Sequence, residues 1–143
     1  SNFEFIADDG SINEVDALVV STDRIYLVEI KSWRGEVSGN QTYWTVRTPA
    51  GERAHENPLL LANRKAKKLK SLLGRQNGFK KSQVPFIQAA VFLSSKECAI
   101  QLDEIAGQHV YARPGSARRG QAHVVDLING SVMKTEGEAV DVA

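Results

Sequence analysis

Two apolar, β-branched runs, Val15–Val20 and Ile25–Ile30, flank the short polar break Ser21-Thr22-Asp23-Arg24, a pattern that predicts an antiparallel hairpin. With Thr22 and Asp23 as the turn, Ser21 faces Arg24, and counting back sets Val20 opposite Ile25, Leu18 opposite Leu27 and Asp16 opposite Glu29. Side chains alternate along a strand, so Lys31 shares a face with Glu29, and the same register places Glu14 opposite Lys31. Apart from this charged cluster both faces of the hairpin are apolar, which predicts a central position in a sheet covered on two sides.

The remaining pattern surrounds that hairpin. Phe3–Ala7 alternates like a strand, and Asp8-Asp9-Gly10-Ser11 marks a turn. Glu36–Ser38 and Thr42–Thr48, joined through Gly39-Asn40, predict a second hairpin closed by Pro49-Ala50-Gly51. Asn57-Pro58 reads as an N-cap followed by Pro at the first helical position, so a helix is expected from Pro58 to about Arg75, stopping before Asn77-Gly78. Val84–Leu93 is a strong buried strand, and Ala99–Leu102 and Val110–Ala112 are short ones, the second closed by Pro114-Gly115. A last helix is expected over Ser116–Ile128, stopping at Asn129-Gly130, with a weakly structured tail over Lys134–Ala143. The fold class is α/β: a mixed central β-sheet flanked by helices, in one domain over residues 1–143 with no internal repeat or linker.

Charge changes this picture in one place. A net charge of +1 makes no case for a polyanionic partner, yet eight of the 18 basic residues lie between Arg64 and Lys81 with no acid among them. On the expected helix Leu59, Ala62, Ala66, Leu69 and Leu73 fall on one side, while Arg64, Lys68 and Arg75 fall nearly opposite, flanked by Lys65 and Lys67. No Glu supports them at helical spacing. Either the face is simply solvated, or it meets phosphates in a sequence-independent way.

The single cysteine, Cys98, excludes an internal disulfide and fits a reducing cytoplasm. No apolar run approaches a membrane span and no secretory signal opens the chain, so no membrane partner is expected. The start at Ser1-Asn2-Phe3, without an initiator Met and running at once into a strand pattern, leads us to expect a segment of a longer protein.

Facing carboxylates destabilise a sheet, and beside rows of Leu and Val the cost rises unless a positive group lies between them. A hard divalent cation, Mg²⁺ or Mn²⁺, takes oxygen ligands and keeps waters, so Asp16 and Glu29 with a carbonyl are enough protein to hold it. Lys31 then supplies a point charge suited to orienting a water or stabilising charge on a phosphate. The plainer alternative is that Asp16 and Glu29 are solvated at strand ends, with Lys31 as an ordinary partner. Trp33 beside the cluster is placed to stack on a nucleotide base, a contact of about 1–3 kcal/mol, unless Trp33 and Trp44 cover one another or the sheet. His55, His109 and His123 lack ligand spacing, which argues against a histidine zinc site. Cys98 has no nearby His, and neither a phosphate-binding Gly-rich loop nor a Gly-x-Ser-x-Gly element is present.

The order Asp, apolar strand, Glu-x-Lys resembles the PD-(D/E)xK nuclease superfamily, and EVDALVV…YLVEIKSWRGEVSG is similar to its nuclease-related (NERD) domains. The matching positions are Asp16, Glu29, Ile30, Lys31, Trp33, Gly35 and Trp44, with Asn57-Pro58 opening the following helix; the likeness runs from about Ile12 to Leu93. It implies a restriction-endonuclease-like core and Mg²⁺-dependent (or Mn²⁺-dependent) DNA hydrolysis. Asp16 and Glu29 would be the metal ligands, the Ile30 carbonyl a third, and Lys31 the catalytic lysine. Two features depart from the family: Ser1–Asn13 has no room for a helix and a strand before the site, and Leu61 stands where members carry a Gln one turn into the helix.

DNA is therefore the expected partner, through Trp33, Arg34, Arg64, Lys65, Lys67, Lys68 and Arg75, together with other domains of a parent protein. The resemblance also implies an alternative, a non-catalytic DNA-binding or regulatory module fused to a kinase or helicase, in some cases in phage defence. A protein-interaction scaffold is a third class, in which the basic face meets an acidic partner. No sequence feature fixes an oligomeric state.

Overall fold

A computed structural model describes residues 2–76, 80 and 83–113. The helix expected over Ser116–Ile128, the tail from Lys134, the Pro114-Gly115 and Asn77-Gly78 stops and His123 lie outside these residues. The elements in chain order are β1 (Phe3–Ile6), β2 (Ile12–Val15), β3 (Ala17–Val20), β4 (Arg24–Lys31), β5 (Gly35–Gly39), β6 (Tyr43–Thr48), β7 (Gly51–Glu56), α1 (Pro58–Gly74), β8 (Phe86–Leu93), β9 (Cys98–Leu102) and β10 (Val110–Ala112).

The mixed α/β class holds, with a mixed central sheet in the order β10-β8-β4-β3. β4 runs parallel to β8, with Glu29 beside Val91 and Lys31 beside Leu93, and β10 runs parallel to β8 on its far side. β3 is antiparallel to β4 in the expected register, with Val20 opposite Ile25 and Leu18 opposite Leu27. The ladder ends at Ala17 opposite Val28, so the Asp16–Glu29 pair that the register leads to is not formed. Asp16 is a bend, and the strand before it leaves this sheet to pair with β1, where Glu14 faces Glu4. The expected pairing of Glu14 with Lys31 is therefore replaced by a separate two-stranded ribbon.

One face of the central sheet carries two layers side by side. Over its β4–β8 part lies α1, whose Ala62, Ala66 and Leu69 close a core with Leu27, Ile87, Ala89, Phe5 and Val15. Over its β8–β10 part lies a second four-stranded sheet, order β7-β6-β5-β9, whose Val37, Trp44, Val46 and Ile100 pack on Val91, Leu93 and Val110. On the opposite face Tyr26, Val28 and Ala90 are also buried, with Ala17, Val19, Phe92 and Tyr111 packed against them. Among the described residues α1 is the one α-helix.

The second hairpin gains a third strand that the pattern did not reveal. Pro49-Ala50 turns the chain into β7, whose residues Gly51-Glu-Arg-Ala-His-Glu are exposed except for the half-buried His55. As an edge strand with charged side chains, β7 has no apolar alternation to announce it. Gly35 makes the step from the first sheet to the second. It has φ +115°, and a Cβ there would meet the Arg47 carbonyl oxygen at 2.3 Å, so no side chain fits.

α1 starts as its sequence signal dictates. The Asn57 side chain accepts from the Leu59 amide at 2.9 Å and Pro58 occupies the first turn. Buried Asn57 also donates from Nδ2 to the Gln41 carbonyl at 3.1 Å, and its amide donates to the Thr42 carbonyl at 2.8 Å. One capping residue thus fastens the helix to the β5–β6 turn, which fixes α1 over the end of β4.

Candidate active site

The end of β4 is where the central sheet, α1 and the second sheet meet, and three of its consecutive residues are Glu29, Ile30 and Lys31. Because β3 stops at Ala17, the Ile30 amide has no strand partner on that side, and the Asp16 carboxylate takes it, Oδ2 accepting at 2.8 Å. Asp16 is thereby fixed against the Glu29–Ile30 segment by a side-chain bond rather than by strand pairing. Both polar groups of one strand residue point to the same neighbour. The Ile30 carbonyl consequently faces the edge that β3 has left, the edge on which Asp16 sits. The Lys31 carbonyl points the other way and accepts from the Ser94 amide at 2.9 Å.

Glu29 faces α1. Its side chain is 5% exposed, and Oε1 accepts from Lys65 Nζ at 2.7 Å. The same Nζ donates to the Glu14 carbonyl at 2.6 Å, so one ammonium joins the last residues of β2, the end of β4 and the helix. Lys65 stands one turn after Leu61 and one turn before Leu69, at the border of the apolar stripe rather than at the centre of the basic face. Its stem runs along the core and its head reaches the carboxylate. The helix sequence groups Lys65 with the residues expected to meet DNA, whereas the structure turns its ammonium inward to Glu29; its place at the border of the apolar stripe was the available signal.

Lys31 is half-buried, and its Nζ lies 5.9 Å from the Trp33 ring centre. Among the described residues no carboxylate lies within salt-bridge reach of it. A small cleft of about 180 Å³ opens beside it, lined by Lys31, Trp33, His55, Glu56, Asn57, Pro58 and Leu61. Trp33 stacks on His55 with ring centres 4.6 Å apart and meets Trp44 edge-on at 6.3 Å. The covering of Trp33 by Trp44 is therefore what the fold adopts, with His55 added from the unforeseen strand β7. A larger cleft of about 470 Å³ is also bordered by Trp33 and His55, with Arg34, Arg53, Thr48 and Glu52 in its wall.

The donor set around the Glu29–Ile30 peptide is all hard oxygen: the carboxylates of Asp16 and Glu29 and the Ile30 carbonyl. Each carboxylate commits one oxygen, to the Ile30 amide or to Lys65, and keeps the other. Among the described residues no group of three His, Cys, Asp or Glu side chains is disposed to hold a metal ion. A cation that retains several waters fits such a donor set; one that demands a full protein cage does not.

The basic residues of α1 are not the unpaired row that the helix sequence implied, because acids arrive from other elements. Arg64 donates to both Glu56 oxygens at 3.0 and 3.1 Å, which holds the Glu56 carboxyl below its usual range and raises the guanidinium. Lys68 reaches Ser11 Oγ at 3.0 Å and Asp9 at 3.3 Å. Bonds from the Ser11 hydroxyl and amide, and then Lys68, pull the Asp9 carboxyl down to about 2. Arg75 lies 3.3 Å from Asp8, and Arg34 lies 3.7 Å from Glu97. Lys67 is exposed. These outer pairs are solvated and weak, so a phosphate can compete for their cations.

Other candidates recede. Burial pushes the Cys98 thiol up to about 11, the opposite of an activated nucleophile. His55 is on β7 and His109 in the turn before β10, and among the described residues no His, Cys, Asp or Glu group of three surrounds either. No helix among the described residues is long and apolar enough to cross a membrane.

The sequence model of the nuclease-related domain (NERD) matches residues 1–94 of the chain. A protein of Streptomyces coelicolor (strain ATCC BAA-471 / A3(2) / M145), described as "Probable kinase PglW", is 48% identical over 76 residues, which are 52% of this chain and 5% of that protein. The chain thus spans a small fraction of that relative's length. No solved structure matches the chain.

Proposed function

The chain belongs to the nuclease-related domain family, and from that membership and the geometry at the end of β4 we propose that it hydrolyses DNA phosphodiesters with Mg²⁺ or Mn²⁺. The observation that supports this reading best is the bond from the Ile30 amide to Asp16 Oδ2, 2.8 Å long. It keeps a second carboxylate against the Glu29–Ile30 peptide at a place where strand pairing has ended and an ordinary sheet would need no charge. Asp16 and Glu29 would hold the cation, with the Ile30 carbonyl as a third ligand. When bound, the ion would lower the pKa of a water and neutralise charge on the phosphate. Lys31, on the same face as Glu29 and beside an open cleft, holds its ammonium ready to orient the attacking water and to stabilise charge building on the phosphate oxygens. Arg64, Lys67, Lys68 and Arg75 would steer the DNA backbone by exchanging their carboxylate partners for phosphates, with Trp33 and Arg34 bordering the path.

The test is cleavage of double- and single-stranded DNA in the presence of Mg²⁺ by the chain and by Asp16→Ala and Lys31→Ala. Loss of cleavage in Asp16→Ala, and a drop of about 10²–10³ in rate for Lys31→Ala, is expected. Equal cleavage by the variants refutes the assignment.

A second reading has its own support. Lys65 satisfies Glu29 without any cation, and the relative of which this chain spans 5% is described as a probable kinase. In that reading the chain is a non-catalytic DNA-binding or regulatory module within a larger protein. Salt-sensitive DNA binding without cleavage under any divalent cation is its signature.

A further inference from the structure

The contact between Lys65 and Glu29 bears on the proposed cation site, and a role for Lys65 there rests on that reading of the site. Three observations converge on this residue. Its side chain is 14% exposed and the Glu29 side chain 5%, so neither charge is solvated well enough to stand alone. Its ammonium contacts two oxygens at once, Glu29 Oε1 at 2.7 Å and the Glu14 carbonyl at 2.6 Å, the geometry of a small hard cation between hard donors. It comes from a different element than the Glu-x-Lys segment, on a helix clamped in place by Asn57, so its approach to Glu29 is built into the fold.

We propose that Lys65 is a resident counter-ion that competes with the divalent cation for Glu29. With no cation bound, its ammonium neutralises the buried carboxylate and keeps the end of β4 in shape. Cation binding at Glu29 places two positive charges against one carboxylate, and Lys65 gives up Oε1, swinging its flexible stem toward solvent while the Glu14 carbonyl offers an intermediate hold. Lys65 is thus a positioning residue that weakens cation affinity and makes cation occupancy responsive to concentration. Lys31 is not a substitute for it, since its Nζ is directed to the Trp33 side.

Two measurements on the 143-residue chain decide this. Calorimetric titration with Mn²⁺ and then Mg²⁺ compares the unsubstituted protein with Lys65→Met, and thermal unfolding is followed across the same titration. Competition requires Lys65→Met to bind the cation about tenfold more tightly or better, and to gain more melting temperature from it, because the cation then supplies the charge that Lys65 supplied. Equal or weaker affinity in Lys65→Met overturns the competition while leaving the cation site standing. No saturable binding in either protein overturns the cation reading itself, and the proposal falls with it.

The second measurement needs no variant and covers the case in which Lys65→Met does not fold. Amine acylation of the unsubstituted protein, mapped by mass spectrometry, should show Lys65 protected without cation and modified several-fold faster at saturating Mn²⁺, with exposed Lys67 unchanged. Lys65 reactivity that stays constant through a saturating titration contradicts displacement.

Discussion

The inner and outer sides of α1 carry the same kinds of cation and use them differently. On the inner side Lys65 meets Glu29 where the two side chains are 14% and 5% exposed. On the outer side Lys68 meets Asp9 with 36% and 59% exposed, and Arg75 meets Asp8 with 71% and 27%. Distances differ by about half an ångström, but desolvation differs far more, and desolvation decides what a missing partner costs. The outer cations and their carboxylates are solvated, so each can lose its partner at little cost. The inner one holds a carboxylate that has nowhere else to turn.

The sharpest way to break this comparison is to remove the inner cation. Lys65→Ala leaves the Glu29 charge buried beside Leu27 and the helix, and should lower stability by about 3–5 kcal/mol in urea unfolding without divalent cations. Replacing both partners, Lys65→Met with Glu29→Leu, should recover most of that loss, since no uncompensated charge is left behind. A small effect for Lys65→Ala would mean that water reaches Glu29 and that the two sides of the helix are alike.

Next in size is the cap that sets the helix in place. Asn57→Ala removes the bond to the Leu59 amide and the bond to the Gln41 carbonyl together, and about 1–2 kcal/mol should be lost in the same assay. If Asn57 positions Lys65 by clamping the helix, the variant should also alter lysine reactivity at residue 65, which loss of a cap alone would not do.

The smallest effect belongs to the outer pairs and appears as pH dependence. The Asp9 carboxyl is held at about 2 against an ordinary 3.8, so the folded state favours its charged form. Its contribution is present above pH 3.8 and is lost as pH falls through about 2. Asp9→Asn should flatten the stability profile within that window and leave it unchanged at pH 7 apart from a constant offset. Lys68→Ala should shift the profile less than Asp9→Asn, because Ser11 rather than Lys68 is the main cause of the depression.

What could be read from the sequence followed the strength of its periodicity. The β3–β4 register was legible because a two-residue turn between apolar runs leaves little freedom, and α1 was legible because Asn57-Pro58 and a regular apolar stripe mark it. The break at Asp16 was not, since Val15 and Ala17 suit a continuous strand; only the pull of the Ile30 amide on its carboxylate shows why the chain bends there. β7 was hidden by its exposed, charged composition. The partners of the basic helix were invisible for a different reason. Asp8, Asp9, Glu29 and Glu56 all lie outside the helix, and a search along it for supporting acids cannot find them. Of the candidate site, the residues Asp16, Glu29 and Lys31 could be named from spacing, but the lysine that touches Glu29 could not.

Everything proposed for the end of β4 depends on a divalent cation held by Asp16 and Glu29. Calorimetric titration of the chain with Mg²⁺, repeated with Asp16→Ala, addresses it directly. Saturable binding that disappears in the variant is the predicted result. Binding that persists unchanged in Asp16→Ala, or no binding by the unsubstituted chain, contradicts it.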